Sequence, residues 1–203
     1  DLPGLPVLLM TASLPKVREE ALRGILGALD PIPGPAELED RPRYRKDIVM
    51  GGDPAPLVNE THDRGGKVLW VCNTVSRVID AADRLTAHNP LIYHSRFKYE
   101  DRVIRHTAVI AAFKAVGPAL AVCSQVAEMS LDLSADLLVT DLAPVPALIQ
   151  RLGRLNRRAE ANSPTRPFVV VEPDAPLPYK QTDLDAARTW LDRLGDDGIS
   201  QRQ

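Results

Sequence analysis

Aromatic side chains are scarce in this chain: three Phe, two Trp and four Tyr among 203 residues. A core of stacked rings is therefore excluded, and the interior has to be aliphatic, assembled from Val, Leu, Ile and Ala. Cysteine is limited to Cys72 and Cys123, each inside an apolar run. They read as buried strand thiols in a reducing compartment, which leaves no disulfide framework and no Cys-His metal spacing. Excess charge is missing too. The formal net charge is −2, so nothing pulls the whole chain towards nucleic acid or membrane, and a polyanion site has to be a local patch. No apolar run approaches the length of a membrane span, and Asp1-Leu2-Pro3-Gly4 has no signal-peptide character. A cytoplasmic chain without a membrane partner is the expectation. Its length suits one domain with a sizeable core and some extras.

Between residues 67 and 172, short apolar runs alternate with amphipathic stretches. Residues 68–72, 91–93, 120–123, 137–140 and 168–171 are predicted strands. Thr74 is predicted to cap a helix carrying Val75, Val78, Ile79, Ala82 and Leu85. Further helices are expected over about 100–113, over the arginine-rich stretch from 147, and around Leu184, Ala187, Trp190, Leu191 and Leu194. Strands separated by helices specify βαβ units and an α/β fold, a parallel sheet flanked by helices. Upstream, residues 5–13 read as a buried strand, and Ser13 can cap a helix striped by Val17, Ala21, Leu22, Ile25 and Leu26. Residues 31–66 hold six prolines and no lasting apolar period; they read as a connector with room for a small hairpin. Within it, Arg41, Arg43 and Arg45 alternate around Tyr44, either as a row of guanidiniums tracking phosphates or as a solvated linker. The expected organisation is a strand–helix tail (1–30), a connector (31–66), a main domain (67–172) and an extension with a helix (173–203).

The most pointed chemistry lies at 147–158, A-L-I-Q-R-L-G-R-L-N-R-R. Arg151, Arg154 and Arg157 recur every third residue beside Arg158, while Leu148, Leu152 and Leu155 fall elsewhere on the same helical wheel. One helix is therefore expected, with a packed face and a guanidinium face. Gln150 opens the polar face, and Gly153 is expected to admit a neighbouring backbone. A guanidinium matches phosphate oxygens bidentately and stays charged at any working pH; the plain alternative is a solvated basic face. Open α/β sheets place ligands outside the carboxyl ends of their strands. Those ends read Cys72-Asn73-Thr74, His94-Ser95-Arg96, Ser124-Gln125 and Thr140-Asp141, a single polar rim. Ser124 suits a nucleic-acid phosphate, and Asp132 suits a ribose hydroxyl or a metal-bound water. Ser130 and Asp132 read otherwise as caps of a turn, and His94 and Arg96 as phosphate ligands or a structural loop.

In their order, T-A-S (11–13), H-S-R-F (94–97), S-Q-V-A-E-M-S-L-D (124–132) and Q-R-L-G-R-L-N-R (150–157) resemble the second half of a superfamily-two helicase. The details resemble the CRISPR-associated helicase–nucleases of type I interference systems: H-S-R-F followed by Glu100-Asp101-Arg102, V-A-E-x-S-L-D, and L-A-P-V-P-A-L-I-Q-R ahead of the arginines. Generic relatives carry glycine where this chain has Ser130 and Asn156, and threonine in place of Ser124. No G-x-x-x-x-G-K-[ST] phosphate loop and no Asp-Glu-x-His box occur, and the family's metal-binding nuclease domain is read as missing.

The resemblance implies a RecA-like domain preceded by the tail of a first one, working as the C-terminal part of an ATP-dependent single-stranded DNA translocase in antiviral defence. It implies that Arg154 and Arg157 act as arginine fingers and that Gln150 positions the γ-phosphate or water. Asp132, Ser130 and Arg151 would serve ATP, with Arg151 also in interdomain polar contacts. Thr74, His94, Arg96, Ser124 and Gln125 would hold the DNA backbone. ATP and Mg²⁺ are the implied cofactors, held mainly by a first RecA-like domain. That domain, a nuclease domain and a CRISPR RNA-guided surveillance complex are the implied partners. The chain alone is expected to be inactive. A repair or RNA helicase of the same superfamily and a non-catalytic nucleic-acid-binding module stay open as alternatives.

Overall fold

The structure is a computed structural model that describes residues 8–10, 14, 16–47 and 52–202. The expected opening strand falls largely outside these residues, and Ser13 wholly outside. The chain divides into two compact units, Asp1–Ala36 and Glu37–Gln203. In the first, helix α1 (Lys16–Leu26) is held locally by an i,i+4 pair, Glu19 to Arg23 at 2.8 Å. It carries the predicted apolar stripe yet buries none of it: Val17 and Ile25 are about four-fifths exposed. The short helix α2 (Ala36–Glu39) spans the division.

In the second unit, six parallel strands form one sheet in the order β1-β6-β5-β2-β4-β3. They are β1 (Tyr44–Lys46), β2 (Lys67–Val71), β3 (Leu91–Tyr93), β4 (Ala119–Cys123), β5 (Leu137–Asp141) and β6 (Arg166–Val171). The helices are α3 (Ala55–Asp63), α4 (Val75–Arg84), α5 (Tyr99–Lys114), α6 (Val126–Ser130), α7 (Val145–Leu152) and α8 (Gln181–Arg193), with a 3₁₀ turn at Thr86–His88.

The central strands β2, β4 and β5 are buried along nearly their whole length because both faces of the sheet are covered. Side chains alternate between the faces. Val68, Trp70, Leu120, Val122, Leu137, Val139 and Val169 pack with Val58 of α3 and Val78, Ala81 and Ala82 of α4. Leu69, Val71, Ala121, Cys123, Leu138, Phe168 and Val170 pack with Val109 and Phe113 of α5, Leu148 and Leu152 of α7, and Leu184, Ala187 and Leu191 of α8. Each such Val or Leu contributes about 1.5–3 kcal/mol on burial. Cys72 and Cys123 are buried free thiols whose pKa values are raised by that burial. Among the described residues no helix is long and apolar enough to cross a membrane.

Both flanks are more integrated than a connector and an extension. Tyr44–Lys46 joins the sheet as edge strand β1, paired with β6, and Tyr44 also bridges Ile199. Arg41 and Arg43 donate to the carbonyls of Ala159 and Leu38, and Arg45 pairs with Asp47 at 3.7 Å. The three arginines thus form no free row. Helix α8 supplies part of the core, and Lys46 Nζ donates to the carbonyls of Leu191 and Leu194 at 3.0 Å near its end.

Candidate functional site

A parallel sheet delivers all its strand ends to one edge, and the registers here bring the expected polar residues together. Val71 lies opposite both Cys123 and Thr140, and Tyr93 lies opposite Cys123. Asn73, His94, Ser124 and Asp141 consequently emerge side by side. Their environments differ from what the sequence suggested.

The centre of this edge is Arg151. Its side chain is fully buried and hydrogen-bonded within this unit. Nε donates to Glu128 Oε1 at 2.9 Å, one terminal nitrogen to Thr140 Oγ1 at 2.7 Å and the Asp141 carbonyl at 3.0 Å. The other reaches Asn73 Oδ1 at 3.1 Å, Tyr179 Oη at 3.4 Å and Glu128 Oε1 at 2.8 Å. All five guanidinium N–H groups have acceptors, which is the condition for burying this cation. Beside it, the buried Asp141 accepts from Arg77 at 2.7 and 2.8 Å and from the Asn73 backbone N–H at 2.8 Å. Hydrogen bonding to Asp141 raises the Arg77 pKa. Arg77, Glu128, Asn73 and Tyr179 were not singled out from the sequence. Glu128 stands inside a quoted motif and Asn73 inside a quoted strand end, while Tyr179 sits in a Pro-rich break with no pattern to mark it.

The arginine stretch is not one helix. Helix α7 stops at Leu152, with Gly153 as its C-cap at φ −61°. A Cβ on Gly153 would meet the carbonyl of Gln150 at 3.2 Å and that of Ile149 at 3.5 Å, not an approaching neighbour. Arg154 and Arg157 lie in the turn that follows. That turn is pinned as a strand would be: Ala135 N–H donates to the Arg154 carbonyl at 2.9 Å, and Asn156 N–H donates to the Ala135 carbonyl at 3.0 Å. Asn156 adopts φ +47°, the left-handed region that Asn tolerates better than most residues. Its amide donates to the carbonyls of Arg43 and Pro164, each at 3.0 Å. This is the position where relatives were noted to carry glycine; here Asn meets the same backbone requirement and stitches the turn to the strand β1 entry as well.

From that turn Arg154 reaches the end of α6, donating to the carbonyls of Ala127 at 3.2 Å and Glu128 at 2.6 Å, where a helix C-terminus favours a cation. Burial and then the nearby Arg157 lower its pKa, while Asp132 opposes them. Arg157 is exposed and pairs loosely with Asp132, Nε to Oδ1 at 3.4 Å, the two side chains 42% and 68% exposed. Gln150 is exposed on α7. Ser130 ends α6. Thus Arg154, Arg157 and Asp132 meet in one place, with Gln150 on the adjoining helix and Arg151 beneath.

The expected rim splits. Thr74 caps α4, its Oγ1 accepting the Arg77 N–H at 3.3 Å, and Arg96 is exposed. Gln125 is half-buried and donates to the Asn73 carbonyl at 2.5 Å. His94 and Ser124 are buried, 8% and 2% exposed, rather than presented to solvent. The His94 ring stacks on Phe97 at 4.0 Å with 5° between planes, and Arg105 lies 4.0 Å over Phe97. Burial, then Arg105 and Arg96, lower the His94 pKa, which favours the neutral ring. Its Nδ1 and the Ser124 Oγ are buried without a partner among the described residues. One adjacent His-Asp pair, His62-Asp63, lies at the end of α3.

Residues 64–160 match the family described as CRISPR-associated nuclease/helicase Cas3, C-terminal. A putative CRISPR-associated nuclease/helicase Cas3 of Myxococcus xanthus is 56% identical over 99% of this chain, which spans 28% of that relative's length. The crystal structure of T. fusca Cas3-ATP superposes with a TM-score of 0.65 at 22% identity, covering 78% of this chain and 22% of that one. A structure described as a CRISPR RNA-guided surveillance complex, pre-nicking, gives a TM-score of 0.62 at 21% identity, covering 79% of this chain and 23% of the other. With its all-parallel six-stranded sheet and these matches, the chain belongs to the CRISPR-associated nuclease/helicase Cas3 family and carries its C-terminal, RecA-like helicase portion.

Proposed function

We propose that this chain is the second RecA-like half of an ATP-dependent motor that moves along single-stranded DNA in CRISPR interference. Arg154 and Arg157 are its arginine fingers, directed at a nucleotide whose phosphates are cradled by a first RecA-like domain. The observation that carries this reading is the turn at 153–157: bridged to Ala135 and locked through Asn156, it brings two guanidiniums and the Asp132 carboxylate together on a rigid support. Fixed cations aimed at developing phosphoryl charge accelerate transfer by a factor of order 10³–10⁵.

The donor set fits a nucleotide polyphosphate. Arg154 and Arg157 would face the γ-phosphate, Gln150 would orient it or the attacking water, and Asp132 and Ser130 would serve the ribose or a metal-bound water. Mg²⁺, when bound, neutralises phosphate charge. Arg151 works at one remove, as a positioning residue that ties α6, α7 and the strand ends together. Along the same edge Thr74, Arg96 and Gln125 would hold DNA phosphates without reading sequence. Ser124 Oγ and His94 Nδ1, buried without partners, would gain one from a phosphate or a water that follows it. The first RecA-like domain, a nuclease domain and an RNA-guided surveillance complex are the partners this reading requires, in a cytoplasmic setting.

In the complete protein, Arg154→Ala or Arg157→Ala should lower DNA-stimulated ATP turnover at least about 10²-fold with single-stranded DNA binding largely kept. Near-normal turnover in both variants would sink the finger assignment. The 203-residue chain by itself should not hydrolyse ATP.

A further inference from the structure

On the opposite face of the sheet from α7, three side chains converge that the motor reading leaves unused. His62 and Asp63 close the last turn of α3, and His88 ends the 3₁₀ turn after α4. His62 Nδ1 lies 4.0 Å and His88 Nδ1 3.8 Å from the same oxygen, Asp63 Oδ1. One ligand atom from each residue falls within 4.8 Å of the others. The two imidazoles approach with centroids 4.5 Å apart at 55°, so they do not stack face to face.

We propose that His62, Asp63 and His88 form a binding site for a zinc-type divalent ion. Two imidazole nitrogens and one carboxylate oxygen are a donor set that suits Zn²⁺ and its first-row neighbours, and not Mg²⁺ or Ca²⁺, which take oxygen. Zinc bonds of about 2.0–2.2 Å place tetrahedral ligand atoms roughly 3.4 Å apart, so small side-chain rotations close the present gaps. A second observation points the same way. His88 Nε2 lies 3.0 Å from Asn59 Oδ1; the amide oxygen can only accept, so Nε2 carries the proton and Nδ1 keeps its lone pair facing Asp63. Such an outer partner is how metal-bound histidines are oriented. Both imidazoles are mostly covered, their side chains 17% and 16% exposed, whereas Asp63 is 68% exposed and leaves a way in. The C-terminal end of α3 adds its negative dipole.

The ion would clip α3 to the turn after α4. Both elements pack on the same layer of core, through Val58 and Leu85. The pair His62-Asp63 precedes β2 inside the RecA-like unit. It does not depend on the motor reading.

Cobalt serves as the probe. Titrating the 203-residue chain with Co²⁺ should give one saturable equivalent with the visible absorption of a tetrahedral or five-coordinate ion, displaced by Zn²⁺ and not by Mg²⁺. His62→Gln and His88→Gln should each weaken binding by more than tenfold, and Asn59→Ala by about tenfold or more, the usual size of an outer-partner effect. His106→Gln, which alters the histidine of α5, should leave it unchanged. Circular dichroism of the metal-free variants checks folding, and Zn²⁺ should raise the melting temperature of the parent chain and not of the two histidine variants. Absence of a saturable Co²⁺ signal, or equal binding by the parent and the folded His62 and His88 variants, would overturn the site.

Discussion

Arg151 and Arg157 are the same residue type, six positions apart in one motif, and they have opposite fates. Arg151 is enclosed with an acceptor for every N–H; Arg157 is 42% exposed with one loose partner at 3.4 Å. What separates them is where the helix ends. Because α7 stops at Leu152, Arg151 points under the sheet edge while the turn lifts Arg157 outwards. A guanidinium can organise a site or act in it, and burial decides which.

The most damaging way to test that contrast is Arg151→Met, which leaves Glu128 without its cation. Removing one partner of a buried pair costs about 3–5 kcal/mol. Arg157→Met removes only an exposed, long pair and should stay within about 0.5 kcal/mol of the parent. Arg151→Lys should recover little, since one ammonium cannot reach Glu128, Thr140, Asn73 and Tyr179 together. Urea unfolding of the three variants measures the difference. Equal stability of Arg151→Met and Arg157→Met would erase the distinction.

Much of this fold was legible because its inner strands are short runs of mostly apolar residues and its helices are not. The predicted runs match β2 to β6 within a residue or two, and Thr74 caps α4 as expected. Strand β1 was not legible: it has three residues, Tyr-Arg-Lys, of which only Tyr44 is buried. The motif marks the arginine residues but does not specify their geometry. An i, i+3, i+6 spacing is met equally by a helix and by a helix that breaks into a turn, and Asn156 with positive φ marks the break. Residues at strand ends look alike in sequence whether they reach solvent or not. Whether His94 and Ser124 are covered depends on Phe97, Arg105 and the neighbouring strands, which only the packed structure brings together.

The covered state of His94 gives the comparison a pH axis that arginine cannot supply. Its folded pKa lies below the ordinary 6.5, first through burial and then through Arg105 and Arg96. A depressed folded value means the unfolded chain takes up the proton first. The contribution is fully present above about pH 6.5 and is lost as pH falls through the folded value. His62, lowered by burial and by His88, acts in the same sense. Stability measured from pH 7.5 down to pH 5 should therefore decline, and His94→Gln should make that decline shallower. An unchanged slope in the variant would mean that the ring is solvated.

The smallest expected effect concerns how the rim meets single-stranded DNA. With His94 neutral and Ser124 buried, Arg96 is the one residue of the expected rim that carries a full positive charge to solvent. Thr74 and Gln125 add neutral donors. A site of few cations and several neutral groups releases few counterions, so the logarithm of affinity should fall gently with the logarithm of salt. About one to three phosphates neutralised corresponds to a slope of roughly −0.7 to −2. Arg96→Ala should reduce it by about 0.7, whereas Ser124→Ala should weaken binding and leave the slope alone, because a hydroxyl displaces no counterion. His94→Gln should likewise leave the slope unchanged at pH 7.5. Titrating labelled oligonucleotides of different sequence across a salt series measures all of these. Backbone contacts carry no base information, so the curves for different sequences should coincide. A slope several units steeper, or one that His94→Gln makes shallower, would move the DNA site away from these strand ends and return charge to a ring that the packing holds neutral.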